Sequence, residues 1–158
     1  PGPEPAYDTN AKINPPLRTE ADRRALVAGI NAGVIDAIAT DHAPHAIEDK
    51  LREFDDAAFG ISCIETAAAS VLTLVDRGEL DLAAAIRALT AGSARIFNIE
   101  SRIPGTGRLE PAARWTVDPA RLASKGKNTP LSGMTLTGLV RAVVFNGRLA
   151  HELEVAGA

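Results

Sequence analysis

The stretch RTEADRRALVAGINAG (Arg18 to Gly33) runs without a break into VIDAIAT (Val34 to Thr40), and this junction most constrains what the chain can fold into. Leu26, Val27 and Ile30 recur at helical spacing, Thr19 with Asp22 three residues on offers an N-terminal cap, and Gly33 offers a stop. A helix is therefore predicted over this stretch. VIDAIAT is short, mostly apolar and β-branched, which suits a strand covered on both faces. A helix delivered directly into a buried strand predicts a parallel α/β arrangement. Two more helices are expected, from Ile61 to Val75 and from Leu82 to Leu89, and SARIFNI adds a short one. With 158 residues, 46% of them hydrophobic, the chain can bury one sizeable core. No apolar run is long enough to span a bilayer, so the chain reads as soluble.

Past Ile99 the pattern changes. PGTGRLEP (Pro104 to Pro111) and SKGKNTPLSG (Ser124 to Gly133) are turn-rich, whereas TLTGLVRAVVFNGRLAHEL (Thr135 to Leu153) alternates and contains Asn146-Gly147. Asn-Gly between such runs is a strong hairpin signal. The chain thus divides into an α/β part, residues 1–99, and a small β-rich part, residues 100–158. The opening PGPEPA holds three prolines and reads as an extended lead-in.

Charge narrows the function classes. Seventeen basic and twenty acidic residues are interspersed for a net charge of -3, so no basic face is offered to nucleic acid and no polybasic arm to an anionic membrane. Small-molecule chemistry or protein contact remains. The single Cys63 cannot form an internal disulfide, no secretory-type leader is recognised, and a cytoplasmic location is expected. Inside an apolar stretch, Cys63 reads as a small core residue.

Where VIDAIAT ends, IATDHAPH (Ile38 to His45) places an acid and two histidines within five positions. The C-terminal ends of strands are where α/β barrels and open α/β sheets gather reactive groups. From these residues alone a structural role is equally admissible: Asp41 capping a turn, His42 meeting a backbone carbonyl, Pro44 stopping the strand. Only one further histidine, His151, is present, so this sequence alone cannot build a multi-histidine metal centre.

KINPPLR (Lys12 to Arg18), TDHAPH (Thr40 to His45), AAFGISCIET (Ala57 to Thr66) and the tail SKGKNTPLSGMTLTGLVRAVVFNGR (Ser124 to Arg148) occur in order. Together, over nearly all of residues 7 to 150, they resemble the dihydroorotases of the amidohydrolase superfamily. The resemblance implies a (β/α)8 barrel with a small β-sandwich. It also implies a zinc-dependent hydrolase of a cyclic amide, interconverting dihydroorotate and N-carbamoyl-L-aspartate in pyrimidine synthesis. By the same resemblance Asp41, on the last barrel strand, would bind one of one or two zinc ions and shuttle the proton. His45 would meet the substrate carboxylate, Asn14 a ring amide group, and Phe59 and Gly60 would touch the substrate through backbone groups. His42 would support the loop and not the metal. Read without the resemblance, Asn14 could be a turn residue, Phe59 a core aromatic and Gly60 a helix lead-in. Arg18 reads as a solvated helix-start residue, and Lys125 and Lys127 as members of a solvated loop.

The departures are as informative. A complete barrel of this kind takes ~250 residues, so the chain is expected to supply only the last strand and its flanking elements. The family's H-x-H, its bridging carboxylate and its later histidine ligands have no counterpart here, which leaves Asp41 as the only matching metal ligand. A family strand normally found between GRLEP and ARWTVDP is absent where Pro111 meets Ala112. Two other readings stand beside a dihydroorotase: a non-catalytic scaffold subunit for aspartate transcarbamoylase, and a cyclic amidase of the allantoinase or hydantoinase kind. The expected partners are the small-molecule substrate, aspartate transcarbamoylase in the scaffold case, and further copies in a homo-oligomer.

Overall fold

The structure, a computed structural model, describes residues 7–99 and 105–153; the expected PGPEPA lead-in, residues 100–104 and residues 154–158 lie outside them. The helices are α1 (Glu20–Asn31), α2 (Ile47–Lys50), α3 (Ala67–Asp76), α4 (Leu82–Leu89) and α5 (Ala91–Ile96). The strands are β1 (Gly105–Thr116), β2 (Thr135–Phe145) and β3 (Arg148–Glu152), in a three-stranded sheet of order β1-β2-β3. Among the described residues no helix is long and apolar enough to cross a membrane.

Contacts divide the chain into two interleaved compact units. One comprises Arg24–Ile38, Ala68–Trp115 and Leu136–Ala158, and its core is apolar. Val27 of α1, Val71 of α3, Leu80, and Ala84 and Ala85 of α4 are buried together, with Ile30, Leu74, Val75 and Leu89 packed around them. Burying a side chain of this kind contributes roughly 1.5–3 kcal/mol for the larger residues. The termini of α1 follow the sequence signals. Thr19 and Asp22 exchange hydrogen bonds across the first turn, the Asp22 N–H donating to Thr19 Oγ1 at 3.3 Å and the Thr19 N–H to Asp22 Oδ2 at 3.1 Å. At the other end Gly33 takes φ +71, its N–H reaches Ile30 O at 3.1 Å and the Val34 N–H reaches Gly29 O at 2.9 Å. That pair of bonds is the Schellman closure. α4 is capped by Asp81, whose carboxylate accepts from the Ala84 N–H.

The hairpin expected at Asn146-Gly147 forms. Both residues have positive φ, 50 and 70, as the tight turn between Phe145 and Arg148 requires. β2 and β3 are antiparallel, with a register shift between Val143 and Val144. From Gly105, β1 runs through the described part of the turn-rich PGTGRLEP stretch and through the Pro111-Ala112 junction. Pro111, which has no N–H to donate, is tolerated there because β1 is an edge strand. Glu110 on β1 pairs with Arg141 on β2 at 2.9 Å.

The strand expected over Val34 to Thr40 is not formed. The Val34 and Ile35 N–H groups close the end of α1 on Gly29 O, and the Ile38 N–H donates to Ala88 O, so these donors are spent on helix carbonyls instead of a ladder. The one bridge here is parallel, between His42 and Ile61. α3 begins at Ala67 and not at Ile61. The Ser62, Cys63 and Ile64 N–H groups are drawn to Asn128 and His42, which holds residues 61–66 out of the helix.

The second unit comprises Pro1–Arg23, Ala39–Ala67 and Thr116–Thr135. It holds α2, two 3-10 turns (Thr9–Ala11 and Pro119–Arg121) and otherwise loops. Its buried residues include Lys12, Lys50, Ser62, Thr66, Asn128 and Thr129. Ala57, Val117 and Leu122 are buried as well, so this interior combines polar groups with apolar side chains.

Candidate functional site

All five candidate residues fall in the loop-rich unit. Three of them meet. His45 stands at the end of the Asp41 loop, and its Nε2 lies 2.8 Å from the Phe59 carbonyl. A carbonyl oxygen only accepts, so Nε2 carries the proton and Nδ1 is the ring nitrogen left for a ligand. Gly60 takes φ +134, and a Cβ there would lie 2.5 Å from Ala43 Cβ and 3.1 Å from His45 Nε2. Only glycine lets the two loops approach this closely.

Two buried lysines hold the Phe59 loop from beneath. Lys12 Nζ donates to the carbonyls of Phe54 at 2.6 Å and Asp55 at 2.8 Å and lies 4.5 Å from the centre of the Phe59 ring. Lys50 Nζ donates to the carbonyls of Ala58 at 2.7 Å and Gly60 at 3.2 Å. Burial pushes the Lys50 ammonium below its ordinary range; the carboxylate of Asp8 opposes that shift and the charge of Lys12 adds to it. The Lys12 carbonyl in turn accepts the Gly60 N–H at 3.0 Å. Asn14, exposed and joined to Pro15 by a cis peptide bond, follows Lys12 by two residues. Its tie to Phe59 and Gly60 runs through that backbone bond.

Asp41 is exposed, with φ +46, a left-handed conformation that aspartate adopts more readily than most residues. Its charge is felt by Cys63, whose thiol is pushed up first by burial and then by Asp41. The thiol donates to Thr40 O at 3.1 Å, a structural placement. His42 Nδ1 accepts from the Cys63 N–H at 3.1 Å and the Ile64 N–H at 3.2 Å, so this nitrogen is committed to the loop. Arg18 pairs with Asp22 on the exposed surface. Lys125 is exposed, and Lys127 Nζ donates to Leu122 O.

The residue sequence reasoning missed is Asn128. Six per cent exposed, it accepts the His45 N–H on Oδ1 and donates through Nδ2 to the carbonyls of Ala43 and Gly60. The signal was the SKGKN stretch itself, where Gly126 and Asn128 alternate with lysines, but its partners lie 68 to 85 positions away.

Among the described residues no three His, Cys, Asp or Glu side chains are grouped to hold a metal ion. A catalytic zinc usually takes three protein ligands, so the groups in hand do not make a zinc site by themselves. Asp41 offers one exposed carboxylate toward such a site.

The amidohydrolase family profile matches residues 9–150. Curated dihydroorotases are similar to the chain. One from Anaeromyxobacter dehalogenans (strain 2CP-C) is 47% identical over 92% of this chain and 35% of its own length. Another from Syntrophus aciditrophicus is 45% identical over 92% and 36%. The chain therefore spans about a third of the length of these relatives. In fold it is similar to a D-hydantoinase (dihydropyrimidinase) from Thermus sp., with a TM-score of 0.83 at 24% identity, over 91% of this chain and 34% of that one. It is also similar to an inactive dihydroorotase-like domain of a Chaetomium thermophilum CAD-like multifunctional protein, with a TM-score of 0.62 at 22% identity, over 85% and 37%. With the profile matched over most of its length, the chain belongs to the amidohydrolase family.

Proposed function

We propose that this chain is the C-terminal portion of a dihydroorotase, with residues 1–99 contributing the last part of a (β/α)8 barrel and residues 100–158 a small β-rich subdomain. The complete enzyme, cytoplasmic and zinc-dependent, interconverts dihydroorotate and N-carbamoyl-L-aspartate. The observation that carries the reading is His45, fixed against Phe59 O and Gly60 at the end of the loop that begins with Asp41. Dihydroorotate bears a ring carboxylate, and His45 with Nε2 engaged can donate to it from Nδ1 when the ring is doubly protonated.

The other assignments follow from what each group has left to give. Asp41, an exposed carboxylate, takes a proton from the attacking water and passes it to the departing ring nitrogen. It is also one metal ligand, the rest coming from other parts of the polypeptide; zinc supplies Lewis acidity toward the amide and lowers the pKa of water to about 7. Asn14 holds a ring amide group. In the Phe59-Gly60 pair both carbonyls and the Gly60 N–H are engaged within the protein, which leaves the Phe59 N–H as the backbone donor to substrate.

The test is hydrolytic turnover by the full-length protein on dihydroorotate beside an uncharged hydantoin and dihydropyrimidine. Preference for dihydroorotate is expected. Preference for an uncharged ring would move the protein to the hydantoinase or allantoinase class. No turnover and no bound metal, with binding to aspartate transcarbamoylase, would make it a scaffold subunit.

A further inference from the structure

We propose that Asn128 is a positioning residue that sets affinity for the substrate carboxylate through His45. The inference rests on the dihydroorotase reading for its kinetic consequence and on the geometry alone for its structural one. One buried carboxamide joins the two loops that carry the site. Oδ1 accepts from the His45 N–H at 2.9 Å, and Nδ2 donates to Ala43 O at 3.1 Å and to Gly60 O at 3.0 Å. The orientation of the amide is not free, because an N–H can only donate and a carbonyl can only accept. Reversing it would break all three bonds.

The backbone around Asn128 is pressed into the same place. The Ser62 N–H donates to Asn128 O at 2.8 Å. At Gly126 a Cβ would lie 2.6 Å from His45 N and 2.8 Å from His45 O, so the chain crosses directly over the His45 peptide. Glu65 secures the approach to this crossing, its two carboxylate oxygens accepting from the Ala123 and Ser124 N–H groups at 2.9 and 3.0 Å. His45 is thus held at its backbone by Asn128 and at its ring by Phe59 O. The spacing between the two loops, fixed by Nδ2, decides whether the ring bond closes. When it closes, Nε2 is committed and Nδ1 alone faces the ligand chemistry. Asn128 touches no reacting atom on this account.

The test uses the full-length protein and the variants Asn128→Ala, His45→Ala and the double. Asn128→Ala is expected to raise KM for dihydroorotate about tenfold, the size of one well-placed hydrogen bond, with kcat within about twofold. The double variant is expected to match His45→Ala alone, since residues acting through one another are not additive. An unchanged KM, a fall in kcat alone, or effects that multiply would overturn the proposal. Long-range proton–nitrogen spectra of histidine-labelled protein give a second readout independent of turnover. In Asn128→Ala the His45 ring signals should shift while those of His42, held by Cys63 and Ile64, stay; unmoved His45 signals would overturn the proposal. If the wild type does not turn over dihydroorotate, the dihydroorotase reading fails and the spectra still decide the role of Asn128. Should Asn128→Ala not fold, Asn128→Ser carries the same comparison with a smaller void.

Discussion

Around Leu72, which is 2% exposed, and the Val27–Ala85 cluster, the chain buries carbon against carbon. Around Asn128 it buries ammonium and amide groups and satisfies them with carbonyls: Lys12 on Phe54 and Asp55, Lys50 on Ala58 and Gly60, Asn128 on Ala43 and Gly60. An apolar core accepts changes that conserve volume and shape. A buried polar network requires every partner in place, because an unpaired buried group costs about 1–3 kcal/mol. The comparison teaches where precision is kept. The helical unit rests on apolar contacts that tolerate volume-conserving exchange, and the loop unit holds His45 and Phe59 through partnered polar groups.

The comparison breaks if changes in the loop unit act like changes in the core. Asp41→Asn in the full-length enzyme removes a proton acceptor from an exposed position. Turnover in both directions should fall by about a hundredfold or more, with thermal stability unchanged. A loss under about tenfold, ~1.4 kcal/mol, would show that Asp41 is not the shuttle. Leu72→Ala should do the reverse, lowering unfolding free energy by about 2–5 kcal/mol in chemical denaturation while leaving KM unaltered. A shifted KM would show that the two regions are not separable in this way.

The smallest effect lies at the α1 cap. Thr19→Ala should cost about 1 kcal/mol. Asp22 is held below its ordinary value of 3.8 by hydrogen bonds from Thr19. A carboxylate with a lowered folded pKa contributes stability above the unfolded value and loses it as pH falls through the folded one. The gap between wild type and Thr19→Ala should therefore narrow below about pH 4, measured by denaturation across that range; a gap that widens would contradict the capping account.

Much of the fold was written locally. The Thr19–Asp22 cap, the Gly33 stop, α4 and the Asn146-Gly147 turn each depend on residues a few positions apart, and each appeared as expected. The failures were cases where another group claimed the backbone. Val34 to Thr40 lost its strand to helix carbonyls, residues 61–66 lost their helical turn to His42 and Asn128, and β1 was pulled through a turn-rich stretch by pairing with β2. The candidate site residues were named through family resemblance, and their geometry was not legible in the sequence. Nothing near His45 in sequence announces that its N–H is satisfied from residue 128, 83 positions on. Lys12 and Lys50 went unremarked in the sequence, because the carbonyls that hold them lie 8 to 43 positions on.

The central claim is that His45, held by Phe59 and Asn128, reads a carboxylate on the substrate. Its most direct test is kcat/KM of full-length His45→Ala for dihydroorotate, measured with metal content. Losing a hydrogen bond to a charged group costs ~1.5–3 kcal/mol, so kcat/KM should fall roughly ten- to a hundred-and-fifty-fold while the metal content stays that of the wild type. An unchanged kcat/KM, or metal lost together with activity, would contradict the account.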